Sequence, residues 1–291
     1  MISFAIVLVN YQGSIDTISC VDSIIMEISN CYEIDIYIID NNSHINGYNE
    51  LYESFRTQFE LISFDSNSTI FLHEKGLLYL YRYESNIGFG RGNNYLINII
   101  KAEGKHDFMV LLNNDTIVEE LFFSKIVSFY GNKNGNVASS VKSISYFNSS
   151  IDSEGFGYVD FLTGKVSHIE KYKYLYLVGS CIILNNIQNV PYFDPNFFLY
   201  FEDADYSNIL RKNNYELLYD ENNQIKHKIN ASTKFNKSIE FIKKESMMYF
   251  LKKNATRIQF NIFLILRISY YIVTFNFKML IVFMKIAYGK C

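Results

Sequence analysis

The feature that most constrains the fold is a series of continuous apolar, β-branched runs that each end abruptly in polar residues. The first run is FAIVLVN at 4–10, and comparable runs lie at 34–43, 78–86 and 107–116. A strand buried on both faces has this continuous pattern, whereas a half-exposed strand would alternate. Both faces of such a sheet must be covered by helices. The sequence therefore predicts an α/β fold with a mostly parallel sheet and helices on both faces.

Helical patterns lie between the predicted strands. Segment 14–29 has apolar residues near helical spacing, at Ile15, Ile18, Ile25 and Ile28. Segment 90–104 is expected to form a helix after the third strand. Further along, the pattern predicts a hairpin at 155–168 and one buried strand at 174–186. A helix through Arg211 and short strands at 215–220 and 224–228 complete the domain.

Polar clusters follow the predicted strands where each one ends. They are Asn10, Asp40 to Ser43, Asn86 and Asn113 to Asp115. In open α/β sheets, ligands bind at the carboxyl ends of the parallel strands. Asn and Asp are also common where strands enter turns, so any single cluster has a structural explanation. Four aligned clusters together favour a binding site.

The charge is distributed unevenly along the chain. The net charge is −3, but residues 236–291 contain ten Lys/Arg and two Glu, a charge of +8 that leaves −11 for residues 1–235. An acidic body is not typical of a nucleic-acid binder. The tail alternates basic and apolar residues, and its uncharged stretches are about half the ~20 residues of a spanning helix. We expect a catalytic domain at 1–235 and a helical tail at 236–291 that lies in a membrane interface. The alternative is a helical cap packed on the domain or on a second subunit.

The amino terminus, MISFAIVLVNYQG, has neither a basic region nor a small-residue cleavage site of the kind found in signal peptides. The four cysteines show no metal-ligand spacing. We therefore expect a cytoplasmic protein with reduced thiols.

An acidic segment follows an aromatic run at FLYFEDADYSNILRK, residues 198–212. Glu202, Asp203 and Asp205 lie in the first turn of a predicted helix and Arg211 lies near its end. Acids at a helix start suit the helix dipole, which explains one or two of them. An extended NFFLYF run before them would exclude water, which favours a carboxylate that acts as a general base.

The segment VLLNNDT places Asp115 at the mouth of a predicted strand. Oxygen ligands at such a position favour Mg²⁺ or Mn²⁺ over zinc.

Taken in order, several motifs resemble glycosyltransferase family 2, and most closely its bacterial rhamnosyltransferase-like branch. The resemblance covers roughly residues 3–235, and its motifs are VLVNYQ, IIDNNS, NIGFGRGNN, LLNNDT, a GS pair within a strand, FLYFEDADYSNILRKNNY and HKINAST. Each motif is degenerate, but their shared order is specific. The resemblance implies a GT-A, Rossmann-like fold, a nucleotide-sugar donor and inversion at the anomeric carbon.

The resemblance also implies roles for individual residues. The donor nucleotide would be bound by Asn10, Tyr11, Asp40, Asn86, Gly88, Arg91 and Asn114. Asp115 matches the metal-binding aspartate of a DxD-like motif whose first two positions here are amides, and His227 matches a histidine that completes the metal site. Asp203 matches the catalytic base. Acceptor or supporting positions are Gly179, Ser180, Glu202, Asp205 and Arg211, where the acids could position the acceptor or the base or cap the helix.

These expectations combine into one predicted function. The chain would be an inverting, Mg²⁺- or Mn²⁺-dependent glycosyltransferase with a dTDP- or UDP-sugar donor, dTDP-rhamnose first. Its acceptor would be a lipid-linked saccharide of O-antigen or capsule synthesis, and the tail would hold it at the inner face of the bacterial cell membrane, with a homodimer as a further possibility.

The sequence offers two alternative functions. A nucleotidyltransferase would have a glycine- and lysine-rich phosphate loop, which VNYQGSIDT lacks. A non-catalytic scaffold that binds nucleotide sugars would have no need of Asp203, Asp115 and His227, yet all three are in place.

Overall fold

The computed structural model describes residues 1–27, 31–65, 68–168, 174–228 and 237–288. Within these residues the strands are β1 (Ile2–Asn10), β2 (Tyr32–Asp40), β3 (Glu60–Phe64), β4 (Ser68–His73), β5 (Gly76–Arg82), β6 (Phe108–Asn113), β7 (Thr116–Val118), β8 (Val137–Ser145), β9 (Ile151–Ser153), β10 (Phe156–Val159), β11 (Val166–Ser167), β12 (Tyr174–Leu177), β13 (Cys181–Asn185) and β14 (Glu216–His227). The α-helices are α1 (Ser14–Met26), α2 (Ile45–Gln58), α3 (Phe89–Glu103), α4 (Phe122–Tyr130), α5 (Glu202–Lys212), α6 (Lys237–Asn254), α7 (Arg257–Val273) and α8 (Phe277–Tyr288).

The large sheet has the predicted strands at its centre. Its order is β3-β4-β5-β2-β1-β6-β13-β8-β14-β7, with β9 paired to β8. Strands β5, β2, β1 and β6 run parallel, and β13 continues the sheet antiparallel to β6. The carboxyl ends of β1, β2 and β6 therefore meet at one edge, and the predicted α/β class is confirmed.

Side chains alternate between the two faces of the sheet along each central strand. From β1, Phe4, Ile6 and Leu8 enter a core shared with α1, α2 and α4, while Ala5 and Val7 enter a second core shared with α3 and α5. All five are essentially inaccessible to solvent. Each fully buried large aliphatic or aromatic side chain contributes about 1.5–3 kcal/mol. These two cores explain why the strand sequences are apolar without alternation.

Helix α1 packs one face on the first core, and Ile18 and Ile25 lie partly buried at the border of that face. Thr17, Cys20, Val21 and Ile24 are buried, at positions i, i+3, i+4 and i+7, whereas Ile15 is exposed. The predicted helix is present, and Ile28 lies outside the described residues. The Thr17 hydroxyl lies on the same inner face, 3.0 Å from Asn10 Oδ1 and 2.9 Å from the Gly13 carbonyl oxygen.

The predicted hairpin is present, but the predicted strand at 174–186 is two strands in different sheets. β10 pairs with β11 and β12 in a small antiparallel sheet, whereas β13 pairs with β6 and β8 in the large one. The chain crosses between the sheets at 178–180, where Gly179 N donates to Asp203 Oδ2 at 3.1 Å. The two short strands expected at 215–228 are one strand, β14, with an irregularity between Asp220 and Gln224.

The tail helices pack on the small sheet and on α5. Phe250, Leu251, Phe263 and Phe283 form a third core together with Phe201 and residues of the small sheet. Helix α6 therefore packs on the catalytic domain through this core. Helices α7 and α8 nevertheless expose large apolar side chains, namely Ile258, Ile265, Leu266, Tyr270, Ile272, Val273, Phe277 and Ile281. None of the described helices is both long and apolar enough to cross a membrane.

Candidate active site

The carboxyl edge of the central strands is organised by a network of amides and one carboxylate. Asn10 Nδ2 donates to Asp40 Oδ1 at 2.7 Å, and Ser43 N donates to Asp40 Oδ2 at 3.0 Å. Asn114 Nδ2 donates to Thr17 Oγ1 at 2.8 Å and lies 3.3 Å from Asn10 Oδ1. Both Asn10 and Asp40 are fully buried. The structure thus brings three predicted donor-binding residues together, and Asp40 already accepts two hydrogen bonds within the protein.

The loop before α3 is the second predicted donor segment. Asn41 Nδ2 donates to Asn86 Oδ1 at 3.0 Å and to the Gly88 carbonyl at 3.1 Å, so this loop is joined to the end of β2. Gly88 has φ +85°, and a Cβ on it would lie 2.4 Å from the Phe198 carbonyl oxygen. Only glycine fits, because both the backbone angle and the close approach exclude a side chain.

The other two predicted donor residues are exposed. Arg91 Nε donates to the Pro195 carbonyl at 2.7 Å, and Tyr11 has an exposed ring next to Asn10. Arg91 therefore joins α3 to the segment that precedes α5.

The two predicted metal ligands are adjacent, although they are far apart in the chain. β14 pairs with β7, which places His227 opposite Thr116 and brings His227 Nε2 to 3.2 Å from Asp115 Oδ1. On the other side of the ring, Nδ1 lies 3.1 Å from Asp152 Oδ2. Burial by itself would lower the pKa of His227, but the hydrogen bonds and charges of Asp115 and Asp152 raise it to about 9.

A cavity of about 470 Å³ lies next to this pair. Its polar lining combines residues from the sheet edge, the small sheet and helices α5 and α6: Asn113, Asp152, His168, Tyr176, Ser180, Glu202, Asp203, His227 and Lys243. Aromatic rings from Phe89, Tyr200 and Phe201 complete it. Mostly apolar walls with a few convergent polar groups are typical of a substrate site.

The adjacent carboxyl groups of Glu202 and Asp203 enter this cavity. Asp203 is held by two backbone donors, Gly179 N at 3.1 Å and Ala204 N at 2.8 Å. Burial raises the pKa of Asp203, and this effect exceeds the opposite effect of the two hydrogen bonds and of the nearby His168, which lower the pKa. Burial and then the Asp203 charge raise the pKa of Glu202 to about 8. Glu202 and Ser180 line the cavity, and Glu202 Oε2 and Ser180 Oγ are buried without a hydrogen-bond partner among the described residues.

The segment before the two acids is not extended, contrary to the sequence-based expectation. We call residues 194–201 the strap. Its last two residues, Tyr200 and Phe201, have φ of 70° and 64°, the left-handed region. The strap therefore turns directly before Glu202 and Asp203, the first two residues of α5, which both line the cavity.

Two predicted supporting residues lie away from the cavity. Asp205 is buried, and it accepts hydrogen bonds from Lys253 Nζ at 2.7 Å and Asn254 Nδ2 at 2.9 Å of α6. Arg211 donates to the Leu175 carbonyl and lies over the Tyr174 ring at 5.6 Å. Both residues therefore join α5 to its neighbours.

Sequence reasoning missed four cavity residues: Asp152, His168, Tyr176 and Lys243. They come from short strands and from the tail, where no motif was recognised. An acid within SIDSEG or a lysine within a basic tail gives no signal of its own.

A second group of potential metal ligands lies elsewhere. Asp35, Glu103 and His106 have ligand atoms within 4.8 Å of one another. Asp35 precedes Asp40 by five residues on the same strand, so it lies about 16 Å from the carboxyl edge. Lys105 Nζ is 2.6 Å from Asp35 Oδ2 and 3.3 Å from Glu103 Oε2, so an ammonium group already fills this cluster. We interpret it as an ion-pair network.

No family model matches the sequence, and no curated protein matches it. Solved structures do match the fold. S. aureus TarS 1–349 is 14% identical with a TM-score of 0.54, over 86% of this chain and 71% of that chain. GalNAc-T7 with UDP, GalNAc and Mn²⁺ is 13% identical with a TM-score of 0.60, over 87% and 48%. The mannosyltransferase PcManGT from Pyrobaculum calidifontis with GDP-Man and Mn²⁺ is 10% identical with a TM-score of 0.54, over 99% and 76%. The chain therefore has the GT-A fold of these glycosyltransferases.

Proposed function

We propose that this protein is an inverting, metal-dependent glycosyltransferase that moves a sugar from a nucleotide-sugar donor to an acceptor hydroxyl. The observation that carries the proposal is the position of Asp203, a carboxylate fixed by two backbone donors within a cavity that also contains His227. The GT-A structures with UDP, UDP-GlcNAc or GDP-Man support the donor class.

The residues present fit a divalent cation. Asp115 and His227 offer a carboxylate oxygen and an imidazole nitrogen 3.2 Å apart, at the edge where the network of Asn10 and Asn114 prepares a polar site. Oxygen with one nitrogen suits Mn²⁺ or Mg²⁺. Bound there, the cation offsets the charge that develops on the leaving diphosphate.

Asp203 takes the proton of the acceptor hydroxyl while that oxygen attacks the anomeric carbon. The bond from this carbon to the diphosphate oxygen breaks, and the proton ends on the Asp203 carboxylate. A raised pKa favours this role near neutral pH, since a stronger base accepts the proton more readily. A general base of this kind is typically worth ~10²–10⁴-fold in rate. Glu202 and Ser180, each with an unpartnered polar atom, would hold other hydroxyls of the acceptor.

The sequence resemblance suggests which donor and which acceptor the protein uses. Our preferred donor is dTDP-rhamnose, followed by a UDP-hexose or UDP-galactofuranose. The acceptor is a lipid-linked saccharide of O-antigen or capsule synthesis. Two properties of the tail support a membrane location: the exposed apolar side chains of α7 and α8, and its charge of +8. We place the protein on the cytoplasmic face of the cell membrane. Sedimentation with anionic but not zwitterionic vesicles tests this, and a dimer without vesicle binding would contradict it.

A thermal-shift panel tests the function directly. Purified protein is heated with dTDP-, UDP-, GDP- or CMP-sugars, each with and without Mn²⁺. A ligand at 100 times its Kd adds about 2.7 kcal/mol of stability, which is readily measured. We expect a Mn²⁺-dependent shift with one nucleotide class, lost in Asp115→Ala. Asp203→Asn should abolish sugar transfer, while its affinity for the donor stays within a few-fold of the wild-type affinity. A shift with a nucleotide sugar but no transfer by the wild type would favour the non-catalytic scaffold, and the absence of any shift would contradict the proposed donor site.

A further inference from the structure

The strap reaches the two cavity carboxyl groups through a backbone that non-glycine residues rarely adopt. Tyr200 and Phe201 are consecutive, aromatic and left-handed, with φ of 70° and 64°. Such residues cost about 1–2 kcal/mol each and persist where the surroundings determine them. The N-cap position of α5 is Phe201, which has no side-chain cap to fix the helix start. Something outside the strap must therefore hold it.

One face of α6 contacts the last residues of the strap in succession. Ser246 Oγ donates to the Leu199 carbonyl at 2.8 Å. Lys243 Nζ lies 5.3 Å from the centre of the Tyr200 ring. The Phe250 ring lies 5.4 Å from the Phe201 ring and is fully buried.

The same face continues along the start of α5 and the beginning of the strap. Lys253 donates to both Asp194 and Asp205, at 2.6 and 2.7 Å. Asn254 donates to Asp205 at 2.9 Å. Residues 243, 246, 250, 253 and 254 are spaced i, i+3, i+7, i+10 and i+11, which is one side of a helix.

The opposite end of the strap is joined to the donor side of the cavity. Phe89 N donates to the Phe198 carbonyl at 3.1 Å, and Arg91 donates to the Pro195 carbonyl at 2.7 Å. Helix α3 thus contacts residues 195 and 198, whereas α6 contacts the start of the strap at Asp194 as well as its last residues, 199, 200 and 201. Lys243 lines the cavity as well.

We propose that α6 is part of the active site: Ser246 and Phe250 are positioning residues that hold the left-handed end of the strap, so that Glu202 and Asp203 face the cavity. This inference rests on the proposed function only for the role of the two acids. It predicts that a catalytic domain ending at residue 235 lacks a necessary part of its site.

The test compares two buried phenylalanines of the tail. Phe250→Leu removes the ring that contacts Phe201, whereas the control Phe263→Leu removes a ring of the same core that packs on Phe260 and Phe283. Ser246→Ala removes the hydroxyl with little loss of packing, and Ser246→Thr restores it. Amide hydrogen exchange of residues 196–206 is followed in the full chain without any ligand.

We expect exchange about tenfold faster or more in Phe250→Leu and Ser246→Ala, which corresponds to ~1.4 kcal/mol of local opening. Phe263→Leu and Ser246→Thr should match the wild type. Equal acceleration in the two phenylalanine variants would overturn the proposal, because the strap would then respond only to a general loss of stability.

A second measurement separates positioning from folding. With the nucleotide sugar that the thermal-shift panel identifies, Phe250→Leu and Ser246→Ala should lower kcat about tenfold while the donor KM stays within about threefold. Unchanged kcat would overturn the positioning role even if exchange accelerates. If no nucleotide sugar binds, the proposed function fails, yet the exchange experiment still decides whether α6 holds the strap.

Discussion

Replacing Glu202 by Gln should stabilise the protein, and more so at high pH. Glu202 is 8% exposed, lies beside Asp203, and has its Oε2 buried without a partner among the described residues. Burial and then the Asp203 charge raise its pKa from 4.5 to about 8. The folded protein therefore keeps a proton that the unfolded chain releases, so the free energy of unfolding falls as pH rises from 4.5 to about 8.

The magnitude follows from the size of this shift. At 1.36 kcal/mol per pKa unit, the wild type loses about 2–4 kcal/mol between pH 5 and pH 8 through this group. Glutamine has nearly the same shape and does not titrate. The stability gain of Glu202→Gln should therefore be about 2–4 kcal/mol larger at pH 8 than at pH 5. Asp203 titrates together with Glu202, so the difference reports the pair.

Urea unfolding of both proteins at pH 5 and pH 8 measures this double difference, in which the titrating groups other than Glu202 and Asp203 cancel. Glu216→Gln, at an exposed position of β14, controls for the loss of a carboxylate. A gain that differs by less than about 0.5 kcal/mol between the two pH values would refute the reasoning, since it would mean that burial does not keep Glu202 protonated.

Three further predictions follow from contacts at and around the site. Asp152→Ala removes the carboxylate that contacts the His227 ring, so Mn²⁺ affinity, measured by electron paramagnetic resonance, should fall about 10–100-fold. Asp152→Asn can still accept a hydrogen bond from His227 Nδ1 and should lose less affinity. Equal Mn²⁺ affinity in the wild type and both variants would contradict an orienting role for Asp152. In urea unfolding, Gly88→Ala should lower the free energy of unfolding by about 2 kcal/mol more than Gly135→Ala. Both glycines have positive φ, but only Gly88 faces the Phe198 carbonyl oxygen. Equal losses of stability would argue against that contact. Asp205→Ala should lower the free energy of unfolding in urea by about 1–3 kcal/mol, because Lys253 then has only Asp194 as its ion-pair partner. An unchanged free energy of unfolding would show that α6 packs on α5 without this ion pair.

The central sheet could be predicted from local patterns alone. Residues 4–10 and 34–43 are apolar without alternation because both faces of their strands are buried, and this requirement is visible in any such run. The same patterns placed Asn10, Asp40 and Asn114 at one edge, where hydrogen bonds now join them. Order of motifs also suggested that Asp115 and His227 act together, and the pairing of β14 with β7 places them side by side.

Other features depend on contacts between distant segments and leave no local pattern. The rotation of α1 exposes Ile15 and places Thr17 beside Asn10, a contact with a residue of β1 that the helix sequence does not reveal. Asp152 faces His227 because β9 and β14 both pair with β8. The aromatic run before Glu202 has an extended pattern by composition, yet α6 contacts it and it turns left-handed.

The sequence by itself determined the class of fold and the edge at which the polar residues of the candidate site meet, because burial of a strand on both faces and the polar ends of strands are local requirements. The tertiary structure alone decided the lining of the cavity, the surroundings that keep Glu202 protonated, and the use of the tail helix to hold the strap. Those depend on which side chains meet across distant segments, and packing chooses among many arrangements that the same local patterns permit.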